Sequence, residues 1–303
     1  MTSAPSATPT THARRLEGAP FAGEIRDRVA AEVAAYVEDH GHPPGLAVVV
    51  CGRSAPSMVY LERILKACAQ VGIEASFVDV EGDDAESQEA GLTEAITRLN
   101  DDPRIAGIIV QMPLPKGVRL KTVVDAIDPL KDIDGIHPLN AGLLRLGYEG
   151  FIPATAHAAL EMVHRSGVPL RGADAVVVGR SPVVGMPLAF ILAKEDATVT
   201  VCHSKTRDLA DKVRRADVVV VAAGKPGLVT GAMLKPGAVV IDVGINVVDG
   251  HIVGDVDFES AEKVASAITP VPGGVGPLTN ALLLSHLMRA AERQDHAKEH
   301  FEA

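Results

Sequence analysis

The segment VVVGRSPVVGMP, running from Val176 to Pro187, holds the residues whose types and spacing point most directly to chemistry. A β-branched run ends at Gly179, the small Ser181 follows, and Gly185 opens the next helical stretch. A tight turn of this kind directs backbone N–H groups and a helix N-terminus at a pyrophosphate. The pattern is not G-x-G-x-x-G, because serine stands at the second glycine and the third comes one residue late. Alone, it also fits an ordinary strand-to-helix turn. The following strand runs into Cys202, His203, Ser204, Lys205 and Thr206 without an acidic residue. NAD-preferring folds usually carry Asp or Glu there for the ribose hydroxyls. A 2′-phosphate would instead meet hydroxyl and cationic partners, with Arg180 added from the first turn, which favours NADP over NAD. The plainer alternative leaves His203 and Lys205 as solvated loop residues.

Three further places carry polar chemistry. Gln111 stands where a parallel strand ends, and its amide can both donate and accept; bonding to nearby backbone is the plain reading. Asp134 precedes Gly135 in Lys131-Asp132-Ile133-Asp134-Gly135, where an ionised carboxylate is an acceptor only and turn chemistry is the plain reading. The loop 269–279 holds three prolines and three glycines, so backbone at Gly273 and Gly274 can approach a ligand while Pro272 limits its freedom. A connector has the same composition. No G-x-S-x-G nucleophile elbow occurs, since Gly179-Arg180-Ser181 continues into Pro182 and Val183. No histidine or cysteine grouping has the spacing of a metal site.

The elements that must position these residues alternate. Helical spacing over residues 21–37 gives way to a strand at 46–50, a helix at 57–71, a strand at 75–80, a helix at 86–99 and a strand at 105–110. After Gly150 a helix over Ala154–Ser166 precedes strands at 175–178, 198–201, 218–222 and 238–243, with helices at 187–194 and 209–215. A final helix covers 278–293. Such alternation predicts two α/β domains with parallel sheets. They are assigned to residues 16–150, completed by the last helix, and to residues 151–277. Residues 1–15 are expected to be a disordered tail, with a targeting segment as the alternative.

Composition narrows the class. The chain has 303 residues, 47% of them hydrophobic, 3% aromatic and none tryptophan, so its core is built from aliphatic residues. A net charge of −10 argues against nucleic acid or an anionic membrane as partner. Cys51, Cys68 and Cys202 are odd in number and far apart, which suits buried residues in a reducing, cytoplasmic setting.

Six segments in order, PGLAVVVCG at Pro44, GIIVQMPLP at Gly107, KDIDGIHP at Lys131, GRSPVVGMP at Gly179, CHSKT at Cys202 and ITPVPGGVGPLT at Ile268, carry a resemblance. The chain resembles the bifunctional methylenetetrahydrofolate dehydrogenase/methenyltetrahydrofolate cyclohydrolase family from about Leu16 to Ala290. The resemblance implies a homodimer of two-domain subunits: an N-terminal folate-binding catalytic domain and a Rossmann-like NADP-binding domain, with folate in the cleft between them. It implies hydride transfer from the methylene carbon to NADP, followed in most members by hydration to the 10-formyl compound. On this resemblance Tyr60, Gln111 and Asp134 are catalytic and substrate-binding residues, Asp134 holding the pterin edge, and Pro272, Gly273 and Gly274 also contact substrate. The cofactor set becomes Gly179, Arg180, Ser181, Val184 and Gly185, then His203, Ser204, Lys205 and Thr206, then Ala223, Gly224 and Ile245.

One position departs from the family in a way that bears on mechanism. The family's tyrosine is followed four residues later on the same helix by a lysine, and here Tyr60 is followed at that spacing by Ile64. Isoleucine can neither donate a hydrogen bond nor change protonation, whereas hydration needs positioned water and a handled proton. Hydride transfer depends chiefly on holding two carbons close. The expectation is therefore a dehydrogenase whose cyclohydrolase is weak or lost. The alternatives are a bifunctional enzyme, or a folate- and NADP-binding protein without turnover.

Overall fold

The computed structural model describes residues 12–52 and 55–302. Among them the elements follow as β1 (Arg14–Arg15), α1 (Gly18–His40), β2 (Gly45–Cys51), α2 (Ala55–Val71), β3 (Glu74–Val80), α3 (Ala85–Asp101), β4 (Ile105–Val110), α4 (Leu120–Asp125) and α5 (Pro138–Leu146). Next come α6 (Ala154–Ser166), β5 (Asp174–Val178), α7 (Gly185–Lys194), β6 (Thr198–Cys202), α8 (Leu209–Val213), β7 (Val218–Val221) and β8 (Val239–Asp242). β9 (Asn246–Val248) and β10 (His251–Val253) form a hairpin, and α9 (Phe258–Ala261), β11 (Ala267–Ile268) and α10 (Val275–Glu302) complete the order. No helix among the described residues is long and apolar enough to cross a membrane.

The chain folds as two compact units, one comprising Ala19–Ala158 with Pro277–Ala303, the other the residues up to Gly18 with Ala159–Gly276. The division falls inside α6 and α10, later than the residue 150 suggested by the sequence. The reason lies in packing: Phe151 is fully buried and its ring lies 6.1 Å from that of His286 on α10. Gly135 is also pressed against the Phe151–Pro153 backbone, where an added Cβ would come within 2.7 Å of Ile152 C.

In the first unit β2 is central in a parallel sheet of order β3-β2-β4. All seven residues of β2 are buried, the mark of a strand covered on both faces. α1 turns Ala22, Ile25, Val29 and Val33 inward at helical spacing. α3 starts at Asp84, whose side chain accepts from Ser87 N while the Ser87 hydroxyl accepts from Asp84 N, a capping box. α4 and α5 are short additions to the expected order; α5 is capped by His137, whose ring accepts from Leu139 N, and stops at left-handed Gly147.

In the second unit a sheet of order β1-β11-β8-β7-β5-β6 pairs parallel throughout. From β5 the chain goes out to β6 and returns across β5 to β7. That reversal creates the crevice where doubly wound sheets bind ligands. Val176, Val178, Val219, Val221, Val240 and Ile268 build the core, so the missing aromatics are replaced by β-branched side chains. The tail expected over residues 1–15 is ordered at its end: Ala13 is buried and Arg14–Arg15 extend the sheet alongside β11. Residues 1–11 lie outside the described residues. The cysteines Cys51, Cys68 and Cys202 are buried and unbridged, and burial pushes the Cys68 thiol up to about 12.

Candidate active site

The first unit gathers polar groups at the C-terminal ends of its strands. Ile108 on β4 forms a parallel bridge with Asp132, and Ile108 N donates to Lys131 O at 2.8 Å. Gln111 and Asp134 both lie just beyond that bridge in the same chain direction. Gln111 N donates to Val49 O at 2.9 Å, continuing the ladder past β4. The Gln111 side chain is buried, and its Oε1 has no hydrogen-bond partner among the described residues. Among the described residues its amide nitrogen reaches Met112 O alone, at 3.5 Å. A buried amide left this way costs free energy unless something else satisfies it. The Met112–Pro113 peptide that follows is cis.

The turn bearing Asp134 is wired on both sides. Buried Lys131 donates from Nζ to Leu99 O, Asn100 O and Asp102 O at 3.0, 2.6 and 2.8 Å, satisfying carbonyls at the end of α3. Asp132, fully buried, accepts from Ile136 N at 3.1 Å, His137 N at 2.8 Å and Asn140 Nδ2 at 2.8 Å. Asp134 follows in the same turn and is partly buried. Burial first, then the charge of Asp132, pushes its carboxyl up to about 7, opposed by a hydrogen bond from the Ala154 backbone. The Tyr60 hydroxyl is also raised by burial, with the Asp134 charge adding to it, so the phenol stays a neutral donor. Ile64, one turn further along α2, is 3% exposed.

The second unit presents a glycine turn at the β5–β7 switch. Gly179 has φ of 138°, and a Cβ there would lie 2.2 Å from Ala222 O. A Cβ on Gly185 would lie 2.2 Å from Gly179 O. Both positions therefore demand glycine, and together they bring the N-terminus of α7 against the end of β5. Ser181 Oγ accepts from Val184 N at 3.0 Å, which fixes the residue before the helix. Beyond β6, His203 N donates to Thr206 Oγ1 at 2.8 Å and Lys205 N donates to His203 Nδ1 at 3.1 Å. Part of that polar character is thus used within the turn, while Arg180, Ser204 and Lys205 are exposed.

Two buried carboxylates without any sequence signal shape the same end of the sheet. Asp255 accepts from Ala223 N, Gly224 N and Lys225 N at 2.6, 2.8 and 2.7 Å, and from Asn246 Nδ2 at 2.9 Å. Asp242 accepts from Gly244 N at 2.9 Å, Asp255 N at 3.0 Å and Val256 N at 2.9 Å. The N–H groups of Ala223 and Gly224 are committed inward, so a cofactor contact there falls to carbonyl or Cα surface. Ile245 follows Gly244 and is 70% exposed. The structure thus brings Tyr60, Ile64, Gln111 and Asp134 together in one unit. Pro272, Gly273 and Gly274 belong to the other, where Gly273 O accepts from Gly18 N and Gly274 N donates to Pro270 O, both at 2.8 Å.

Comparison with known proteins matches both units separately. Residues 16–134 fit the model of the tetrahydrofolate dehydrogenase/cyclohydrolase catalytic domain, and residues 153–295 fit its NAD(P)-binding domain. The chain belongs to the tetrahydrofolate dehydrogenase/cyclohydrolase family. Among family members, the bifunctional protein FolD of Roseiflexus sp. (strain RS-1) is 48% identical over 286 residues, covering 94% of this chain and 98% of that protein. The bifunctional protein FolD of Bordetella avium is 51% identical over 282 residues, covering 93% and 98%. The Trypanosoma brucei methylenetetrahydrofolate dehydrogenase-cyclohydrolase, solved with NADP cofactor and inhibitor, superposes with a TM-score of 0.88 at 39% identity, covering 94% of this chain and 99% of that one. The NAD(P)-binding domain match takes in the whole Ala159–Gly276 stretch of the Rossmann-like unit and continues into α10.

The residues of that domain fit a dinucleotide. Two glycines that tolerate no Cβ, an α-helix N-terminus and an exposed cationic turn lie around one strand-order reversal. Arg180, Ser204 and Lys205 are exposed there, with donor groups of the kind that bind phosphate.

Proposed function

We propose that this chain oxidises 5,10-methylenetetrahydrofolate with NADP, giving 5,10-methenyltetrahydrofolate and NADPH. The observation that carries the reading is the orphaned, buried Oε1 of Gln111 at the strand ends that also present Asp134. Gln111 can accept from or donate to a folate ring, and ionised Asp134 can accept from adjacent N–H groups on a pterin. Tyr60 offers an uncharged hydroxyl and a ring face. NADP, when bound, supplies the hydride acceptor; these side chains orient the donor carbon and limit water around it.

For the hydration step, the bifunctional names of relatives at 48% and 51% identity support a retained cyclohydrolase. That reading takes precedence, with water organised by Gln111 and Tyr60. Ile64 is the specific observation favouring a second reading, in which hydration is weak or lost, because no proton carrier stands one turn beyond Tyr60. A homodimer belongs to the same proposal on the family resemblance, and sedimentation velocity tests it.

The deciding experiment gives purified protein methylenetetrahydrofolate and NADP and follows NADPH, methenyl and 10-formyl products separately. NADPH formation is expected; its absence with both ligands bound would point to a binding protein. Onward conversion faster than uncatalysed hydration supports the bifunctional reading, and methenyl accumulating in step with NADPH supports the second.

A further inference from the structure

A histidine pair that the reaction does not use lies directly behind the Asp134 turn. Ile133 O accepts a hydrogen bond from His286 Nδ1 at 2.9 Å, and His286 is 3% exposed. A carbonyl only accepts, so Nδ1 carries the hydrogen. Burial above all, aided by the charge of His157, pushes the His286 imidazole down to about 3, which keeps it neutral near pH 7. Its Nε2 is then an acceptor, and His157 Nδ1, 2.9 Å away, must donate to it. With His286 neutral, connectivity settles both hydrogens. The two rings stack with centroids 5.2 Å apart and planes 11° from parallel. The Phe151 ring lies 6.1 Å from that of His286, and the Arg289 and Arg293 guanidinium groups lie over the Phe151 ring.

We propose that His286, held in its tautomer by His157, is a positioning residue for Asp134. Ile133 O belongs to the peptide whose nitrogen is that of Asp134, so this hydrogen bond sets the plane from which the carboxylate projects. The Ile133 side chain is locked as well: an added Cβ on Gly107 would meet Ile133 Cγ2 at 2.7 Å and Leu287 Cδ1 at 2.6 Å. Lys131 and Asp132 brace the turn before that peptide, and Asp132 also braces it afterwards at Ile136 and His137. His286 therefore ties α10 to the peptide next to the Asp134 carboxylate, and His157 ties the start of α6 to the same point. The proposal rests on the assignment of Asp134 as a folate ligand.

The test compares wild type with His286→Leu, His286→Asn and His157→Phe, using NADPH formation with each substrate varied in turn. Leucine fills the space without a donor, whereas the asparagine amide nitrogen falls where Nδ1 stands and can still reach Ile133 O. His286→Leu is expected to raise the folate KM about tenfold while the NADP KM and kcat stay within about twofold, one lost hydrogen bond in a binding site. His286→Asn should recover most of that loss, and His157→Phe should raise the folate KM about threefold. An unchanged folate KM in His286→Leu, equal losses toward both substrates, or no recovery with asparagine would overturn the proposal. Should His286→Leu fail to fold, His157→Phe decides: a raised folate KM with NADP KM unchanged supports positioning, and an unchanged one refutes it. Wild-type protein that forms no NADPH would sink the functional assignment itself, an outcome distinct from active variants with unaltered KM.

Discussion

At the scale of single residues, one carboxyl and one alkyl side chain, Asp134 and Ile64, set the first unit apart. Asp134 has its proton affinity raised to about 7, chiefly by burial. An acid whose folded value lies above its unfolded value binds the proton more tightly when folded. Its contribution to stability is therefore greatest below about pH 4 and is lost as pH rises toward 7. If Asp134 accepts from folate N–H groups, the ionised form is the one they prefer, so folate affinity should move the other way, rising through pH 7 and then levelling. Isothermal titration of tetrahydrofolate between pH 6 and pH 8 checks this, and Asp134→Asn should flatten the dependence while weakening binding about tenfold or more. Ile64→Lys is the complementary change. It places an amine one turn beyond Tyr60, and burial there would lower the amine's pKa toward neutrality. Cyclohydrolase turnover should rise about tenfold or more, read as methenyl decay, within the range typical of added acid–base catalysis. An unaltered rate would mean that Ile64 does not limit hydration.

Among the elements, the β5–α7 turn is the least tolerant of change. Gly179 combines a positive φ with an Ala222 carbonyl oxygen 2.2 Å from any added Cβ. Gly179→Ala should destabilise the second unit by about 2 kcal/mol and weaken NADP binding, since the turn must open to admit the methyl group. Denaturant unfolding with and without NADP separates the two effects. The loop after β7 depends instead on a carboxylate. Asp255 holds three successive backbone N–H groups of an exposed loop, and Asp255→Ala would release that loop from the sheet end, a loss of about 1 kcal/mol or more. Asp242 is drawn upward to about 6 by burial, and three backbone donors keep it from rising further.

Across the whole molecule, each unit has its own parallel sheet and its own core. Ligand binding then stabilises the chain by mass action on the folded form. NADP at about a hundred times its Kd should add about 2.7 kcal/mol. A thermal-shift series measures this directly. If Arg180, Ser204 and Lys205 read the 2′-phosphate, NADP should shift the midpoint at concentrations where NAD does not. Charge reversal at Lys205 (Lys205→Glu) should shrink that difference without altering the unliganded midpoint. Equal shifts by the two cofactors would remove the case for NADP preference.

The amino-acid order by itself determined the alternation of strands and helices, the glycine turn, the acid-free end of β6 and the presence of Ile64 after Tyr60. These are local properties: period, β-branching and turn residues act over a few neighbours, and six motifs in order suffice to indicate a family. Two other expectations depended on packing. The unit boundary moved from residue 150 to 158 because Phe151 packs on His286, a contact across more than a hundred residues of chain. Arg14–Arg15, expected in a loose tail, joined the sheet because β11 offered an open edge. Only the tertiary structure revealed that Asp255 occupies the N–H groups of Ala223 and Gly224, that Gln111 keeps a buried oxygen unpaired among the described residues, and that His157 and His286 stand behind Asp134. Burial and long-range hydrogen bonding decide such roles. A buried aspartate or histidine has the same letter as a solvated one until the fold removes its water and chooses its partner.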